Sequence, residues 1–241
     1  MSNFKIETPD LESSTEEYAQ RFAGPVGDYF LEVQTDVVRK LLPSPVGCSV
    51  LDVGGGHAQL ARPLVDAGYD VTVLASDESC RERLDRIVGP DRYKLLTGNL
   101  LKLPCDRDGY DVVLAFRMLP HLNDWHRFVS ELCRVAKGCL IVDYPDLRSI
   151  NVLASRMFAL KRSIEKNTRT YQCFSRRQIL SELKKHQFYR DSSQAQFFFP
   201  MALHRLIKRA SLSRLFERIA RGCGLTNLLG SPVILKAAPA H

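Results

Sequence analysis

Hydrophobic and polar positions along residues 48–143 fall into blocks that switch between the two periods of regular structure. Val50, Leu51 and Val53 form a short aliphatic run, and Leu60, Ala61, Leu64 and Val65 follow at helical spacing. This predicts a strand over Ser49–Val53, a glycine turn, and a helix near Gln59–Ala67 ended by Gly68. The same reading predicts strands at Val71–Ala75, Tyr93–Thr97, Tyr110–Phe116 and Cys139–Asp143. Between them it predicts helices at Glu78–Val88 and Asp124–Ala136, the latter with Phe128, Val129, Leu132 and Val135 on one face. Strands alternating with helices at this spacing imply a parallel sheet covered on both faces.

Helices are expected before this core, at Thr15–Phe22 and Tyr29–Leu42. After Pro145 the alternation loosens. Helices are expected at Ile150–Glu165 and at Ser175–His186, with Ser175 as N-cap. Strands are expected at Gln194–Phe199 and Val233–Ala237. Between those two strands residues 203–228 read as helices, with Leu203, Leu206, Ile207 and Ala210, then Leu215, Phe216, Ile219 and Ala220, as their apolar faces.

Composition changes this picture little, but charge does. The chain has 241 residues and a net charge of +7, unevenly placed. Residues 1–40 carry four Lys/Arg against eight Asp/Glu, whereas residues 147–241 carry 18 against four. The C-terminal part therefore suits an anionic partner. No run of about 18 apolar residues suggests a transmembrane helix, and Met1–Glu17 has no apolar signal-peptide core. The seven cysteines include no CxxC pair, which speaks against a disulfide framework or a zinc site and for a cytoplasmic location. No metal site is expected.

Chemistry concentrates at Asp52-Val53-Gly54-Gly55-Gly56-His57-Ala58-Gln59. Glycines let a ligand approach the backbone, and a carboxylate two residues earlier suits an ammonium group better than a pyrophosphate. A dinucleotide fingerprint needs a small residue where Gln59 stands. The segment instead resembles motif I, D-x-G-x-G-x-G, of the class I S-adenosylmethionine-dependent methyltransferases, with Ala58 at the last glycine. Gly98-Asn99-Leu100-Leu101-Lys102-Leu103-Pro104 is similar to the family's GDxxxLP loop, with Asn99 in place of the acid. Tyr110-Asp111-Val112-Val113 is similar to its FDVV strand. Met118-Leu119-Pro120-His121-Leu122 with Trp125 resembles its xLHHLxDW turn, and Arg134-Val135 its xRVLKPGG helix end. Order and spacing agree over residues 48–143, and the branch resembled is methyltransferase type 11, which includes quinone-biosynthesis enzymes.

The resemblance implies a Rossmann-like α/β fold: a mainly parallel seven-stranded sheet with an antiparallel last strand and helical cap insertions. It implies one domain, with residues 1–45 as a helical lid, 48–146 as the cofactor core and 147–241 as a basic acceptor-binding portion. S-adenosyl-L-methionine is the implied cofactor and a small hydrophobic or anionic molecule the implied acceptor. Asp52, Gly54, Gly55 and Gly56 would lie along the methionyl part, Phe116 and Arg117 beside the sulfonium, and Asn99 and Leu100 at the adenine. Arg21, between Tyr18 and Phe22, would reach the cofactor from the lid. His121 is the candidate general base, with Arg117 or Tyr144 positioning the acceptor and Arg169 a further anchor for an anionic one. His57 is expected as a turn residue and His126 as a solvated helix position. His204 is weighed between a core position and the acceptor pocket.

One position departs from the family. The second strand should end in an acid for the ribose hydroxyls, and Ala75-Ser76 stands there, followed by Asp77. The missing acid beside Arg81 and Arg83 also fits an NADP-dependent oxidoreductase, or a non-catalytic S-adenosylmethionine-binding protein. Residues 201–224 carry Arg205, Lys208, Arg209, Arg214, Arg218 and Arg221 against Glu217, with Phe197–Phe199 alongside. That pattern suits a solvated cap or a peripheral contact with an anionic membrane surface, and nucleic acid less well.

Overall fold

The computed structural model describes residues 7–13, 15–149 and 171–240. Seven strands form one sheet: β1 (Ser49–Val53), β2 (Asp70–Ala75), β3 (Lys94–Thr97), β4 (Tyr110–Ala115), β5 (Ala136–Tyr144), β6 (Phe188–Phe197) and β7 (Ser231–Pro239). Their order is β3-β2-β1-β4-β5-β7-β6. β1 to β5 pair in parallel, and β7 runs antiparallel to both β5 and β6. Six strands thus point one way and the last in sequence opposes them, as the resemblance implied.

Parallel neighbours need crossovers, and the crossover helices cover both faces. Leu51, Val53, Val113, Ala115, Leu140 and Val142 pack on one face with α6 (Trp125–Val135) and α7 (Arg176–Lys185). Val50, Val112, Leu114 and Ile141 pack on the other with α3 (Gly24–Leu41), α4 (Ala61–Asp66) and α5 (Cys80–Val88). The N-terminus adds α1 (Pro9–Ser13) and α2 (Glu16–Gln20), which begins where the Thr15 side chain accepts the Tyr18 N–H. α8 (Met201–Ile207), α9 (Ala210–Gly222) and α10 (Leu225–Leu229) lie between β6 and β7.

Several elements differ from their predicted bounds for identifiable reasons. The helix after the glycine turn begins at Ala61, not Gln59, because Gly55–His57 forms a 3-10 turn and Ala58 follows in the left-handed region at φ 61°. β6 begins at Phe188 rather than Gln194. Its first half, Tyr189-Arg190-Asp191-Ser192-Ser193, lacks an apolar pattern because it lies on the sheet edge and pairs with β7 alone, through a register shift between Arg190 and Ser192. Ser175 caps α7 as predicted, in a reciprocal box with Gln178. The helix expected at Ile150–Glu165 lies outside the described residues.

α9 turns its apolar face outward. It buries Ser213, Glu217 and Ala220, and turns Leu212, Leu215, Phe216 and Ile219 outward. A polar group chooses the buried side: both Glu217 carboxylate oxygens accept backbone N–H groups, from Phe198 and Phe199 at 2.9 Å each, and His204 Nε2 lies 3.0 Å from Oε1. His204 is fully buried among Tyr29, Phe30, Phe197 and Phe199. It is a core residue. Phe197 and Phe198 are buried in the same layer and do not extend the outer face of α9.

Candidate active site

The carboxyl ends of β1, β2, β4 and β5 meet at the glycine turn. Gly54 takes φ 77° and donates its N–H to the Leu74 carbonyl at 2.7 Å, tying the turn to the end of β2. A Cβ on Gly54 would come within 2.4 Å of Met118 Sδ, and one on Gly55 within 2.2 Å of Asp52 Oδ2. Gly56 completes the buried 3-10 turn. Asp52 itself is fully buried, and neither of its carboxylate oxygens has a hydrogen-bond partner. Burial alone pushes its pKa up to about 7.

Beside it, His57 Nδ1 accepts the Gln59 N–H at 3.1 Å, which assigns the ring proton to Nε2. That Nε2 is buried without a partner. Burial, then the charges of Arg117 and Arg83, hold the ring neutral with a pKa of about 3.

Arg117 follows β4 in the left-handed region, at φ 62°. Its N–H donates to Asp143 Oδ1 at 2.6 Å, and its Nη2 donates to Gln34 Oε1 at 2.9 Å. Its guanidinium sits 4.0 Å over the Phe22 ring, and Nη1 is buried without a partner. Phe116 is buried behind it. Asp143, at the end of β5, is buried too, and desolvation lifts its pKa to about 6 against the opposing pull of the Arg117 N–H.

His121 lies half-buried in the turn Leu119–His121, with its ring 5.6 Å from that of Tyr171. Tyr144 is fully buried, and its hydroxyl is among the buried atoms without a partner.

At the end of β2, Ala75 is buried and Ser76 is half-buried. The Ser76 N–H donates to Asp10 Oδ2 at 2.6 Å, and the Ser76 hydroxyl donates to Asp10 Oδ1. Asp77 does not reach in: its exposed carboxylate accepts the Ser79 N–H at 2.8 Å. Past β3, Asn99 Oδ1 accepts the Leu101 N–H at 2.9 Å, and Leu100 is buried. Arg21 stands apart. Its guanidinium lies 5.1 Å over Tyr18, and it lines an outer groove of about 530 Å³ with Glu17, Gln20, Arg205 and Lys208. Phe22, not Arg21, is the residue of that segment that touches Arg117.

Comparison with known proteins decides the class. Residues 20–193 match a family described as a methyltransferase domain. The chain belongs to the S-adenosylmethionine-dependent methyltransferases. A probable methyltransferase of this kind from Mycobacterium tuberculosis is 30% identical over 130 residues, covering 50% of this chain and 44% of the relative. A phthiotriol/phenolphthiotriol dimycocerosates methyltransferase of the same species is 35% identical over 118 residues, covering 45% and 41%. The matched region thus spans less than half the length of these curated relatives. Among solved structures, magnesium protoporphyrin IX methyltransferase from Synechocystis with bound S-adenosylhomocysteine superposes with a TM-score of 0.63 at 15% identity, covering 95% and 97%. A methyltransferase from Thermotoga maritima superposes at 0.66 with 17% identity, covering 96% and 98%. At those identities the structures speak for the fold. None of these likenesses singles out the type 11 branch.

The residues present fit the cofactor of this methyltransferase family. Around the glycine turn the buried atoms left without partners include the acceptors Asp52 Oδ1, Asp52 Oδ2 and Gln59 Oε1 and two donors, Arg117 Nη1 and His57 Nε2. A zwitterionic amino-acid group satisfies both kinds at once. The oxidoreductase reading loses its support, because both arginines are committed elsewhere. Arg81 pairs with Glu78, and Arg83 donates to Glu16 Oε1 at 2.8 Å and to the His57 carbonyl at 3.2 Å.

Among the described residues no group of three His, Cys, Asp or Glu side chains is arranged to hold a metal, and no helix is long and apolar enough to cross a membrane. His126 is not merely solvated. Its Nδ1 lies 2.6 Å from Glu182 Oε2, and its ring stacks 3.8 Å from Trp125. Arg169 lies outside the described residues. The residues that sequence reasoning missed are Asp10, Gln34 and Asp143. Asp143 had a signal, an acid at the carboxyl end of a parallel strand. Asp10 and Gln34 had none, because tertiary packing alone brings them here.

Proposed function

We propose that this chain transfers a methyl group from S-adenosylmethionine to a small hydrophobic or anionic acceptor. The observation that carries this reading is the set of partnerless buried atoms of Asp52, His57 and Arg117 around the glycine turn. Bound there, the cofactor supplies a methyl group already activated on a sulfonium. The chain's own contribution is to bind, orient and exclude water. Asp52 receives the ammonium, and Arg117 Nη1 with His57 Nε2–H receives the carboxylate. Gly54, Gly55 and Gly56 let the chain pass close to the methionyl part, with Phe116 behind the sulfonium. Asn99 and the Leu100 N–H serve the adenine, and Ala75 and Ser76 the ribose end.

His121 takes the proton from an acceptor that must lose one, with Tyr171 packed on its ring. A peripheral membrane contact belongs to the same proposal. Leu212, Leu215, Phe216 and Ile219 form an outward apolar stripe on α9, with the exposed cation Arg218 on the same helix. Such a face favours an anionic lipid surface and acceptors drawn from it.

Calorimetry with S-adenosylmethionine, S-adenosylhomocysteine and NADPH tests the reading, together with transfer of a labelled methyl group to a lipid extract. Micromolar binding of the first two ligands and label in an extractable product are expected. Binding of NADPH alone would overturn it.

A further inference from the structure

Three cations from opposite ends of the chain line one groove. Arg21 follows α2, Arg205 lies on α8, and Lys208 ends α8 in the left-handed region at φ 55°. With Gln20 and the start of α3 they enclose the outer groove of about 530 Å³. Glu17 is the one carboxylate among the lining residues, so three cations against one acid leave a surplus of two positive charges. None of the three cationic side chains is ion-paired with a described residue.

These cations are held in place. Arg205 Nη2 donates to the Arg21 carbonyl at 3.1 Å, across 184 residues, and its other N–H groups remain for a ligand. The Tyr18 ring lies 5.1 Å from the Arg21 guanidinium and takes its face, which leaves its N–H edge free to donate. The Lys208 N–H closes α8 on the His204 carbonyl at 3.1 Å. Gathering like charges has a cost: desolvation at the groove wall, then the charges of Arg21 and Arg117, lowers the Arg205 pKa from the ordinary arginine value. An anion in the groove relieves that repulsion.

We propose that this groove binds a phosphate group, at a site separate from the glycine-turn cradle, through Arg21, Arg205 and Lys208. A surplus of two charges matches a phosphomonoester dianion, whereas a carboxylate would leave one charge unmatched. Arginine offers phosphate a planar fork and lysine a point charge, and both kinds of donor are present. The groove is larger than a phosphate group and so has room for the organic part of an ester. Leu203 and Leu206 stand exposed on the same short helix as Arg205, so the phosphate of a lipid headgroup fits as well as that of a soluble ester. The two sites share a wall, since Arg21 lines the groove while Phe22, the next residue, lies against Arg117.

The test pairs calorimetry of the full chain with glycerol 3-phosphate, at fixed ionic strength, and flotation with phosphatidylcholine vesicles carrying phosphatidic acid. Saturable binding is expected for at least one probe: glycerol 3-phosphate if the source is a soluble ester, phosphatidic acid alone if it is a headgroup. Arg205→Gln with Lys208→Gln should weaken it at least about tenfold, the loss of charge-assisted bonds to phosphate. Arg209→Gln with Arg218→Gln removes the same charge outside the groove and should leave binding within about twofold. Both double variants should keep their affinity for S-adenosylhomocysteine. Should the groove variant not fold, Arg21→Gln reads the same loss from the opposite wall. Binding of neither probe, equal loss in the two double variants, or a matching loss of S-adenosylhomocysteine affinity would overturn the proposal.

Discussion

Asp143 and Arg117 are joined through backbone and carboxylate: the Arg117 N–H donates to Asp143 Oδ1 at 2.6 Å. The bond holds Arg117 at φ 62°, a conformation unfavourable for a residue with a side chain. It also sets where the guanidinium points, toward Gln34 and Phe22 with Nη1 in the buried cradle.

Asp143→Ala removes the acceptor and leaves that N–H unsatisfied, which costs about 1–3 kcal/mol. Asp143→Asn keeps an acceptor and removes a charge that burial disfavours. The pKa of Asp143 is raised to about 6, so the folded chain holds a proton that the unfolded chain releases from about pH 4 upward. Its contribution to stability is therefore full at low pH and is lost as pH rises toward 6. Urea unfolding at pH 4.5 and 7.5 should show a smaller decline for Asp143→Asn than for the unaltered chain; equal declines would disprove it.

Cofactor affinity should follow the proton on Asp52. With a pKa of about 7 in the empty cradle, the carboxyl is protonated below neutrality and must ionise to face an ammonium. S-adenosylhomocysteine binding is expected to strengthen as pH rises from 5.5 to 7, by up to about tenfold per unit, and to level off above 7. Calorimetry in two buffers of different ionisation enthalpy should register proton release at pH 6. Asp52→Asn should bind weakly with no such pH dependence.

Gly55→Ala is expected to damage the site more than the fold. The backbone there is not left-handed, but the new Cβ would meet Asp52 Oδ2 at 2.2 Å and push the carboxylate aside. A loss of S-adenosylhomocysteine affinity beyond about tenfold, with thermal unfolding lowered by only a few degrees, is the predicted pair of results. Gly54→Ala, which adds left-handed strain and a contact with Met118 Sδ at 2.4 Å, should lose both binding and stability.

The outward face of α9 separates membrane contact from folding. Leu215→Glu with Ile219→Glu alters side chains that are 47% and 56% exposed, so unfolding temperature should hold. Flotation with vesicles of phosphatidylcholine and phosphatidylglycerol should show salt-sensitive binding by the unaltered chain and none by the double variant. Equal flotation of both proteins, or of neither, would remove the membrane contact from the proposal.

The parallel core was legible because its strands are buried on both faces and so read as continuous apolar runs, as at Val112-Val113-Leu114. The glycine turn was legible because its requirements are local: Gly54 needs a left-handed backbone, and Gly55 must leave room for a side chain three residues away. β6 was half hidden, since an edge strand needs no apolar alternation. The periodicity of α9 shows a stripe but not which side of the helix finds a partner. Glu217, bonded to the Phe198 and Phe199 N–H groups, decided that.

The sequence by itself determined the alternating α/β core, the glycine turn with Asp52 before it, and the family to which these belong. All of these rest on residues near one another in the chain, whose spacing is itself the signal. Only the tertiary structure decided which distant groups complete the site. Asp10 reaches Ser76 across 66 residues and Gln34 reaches Arg117 across 83, and no local periodicity encodes such pairs. Packing of the N-terminal segment over the turn brings the Asp10 carboxylate to the end of β2.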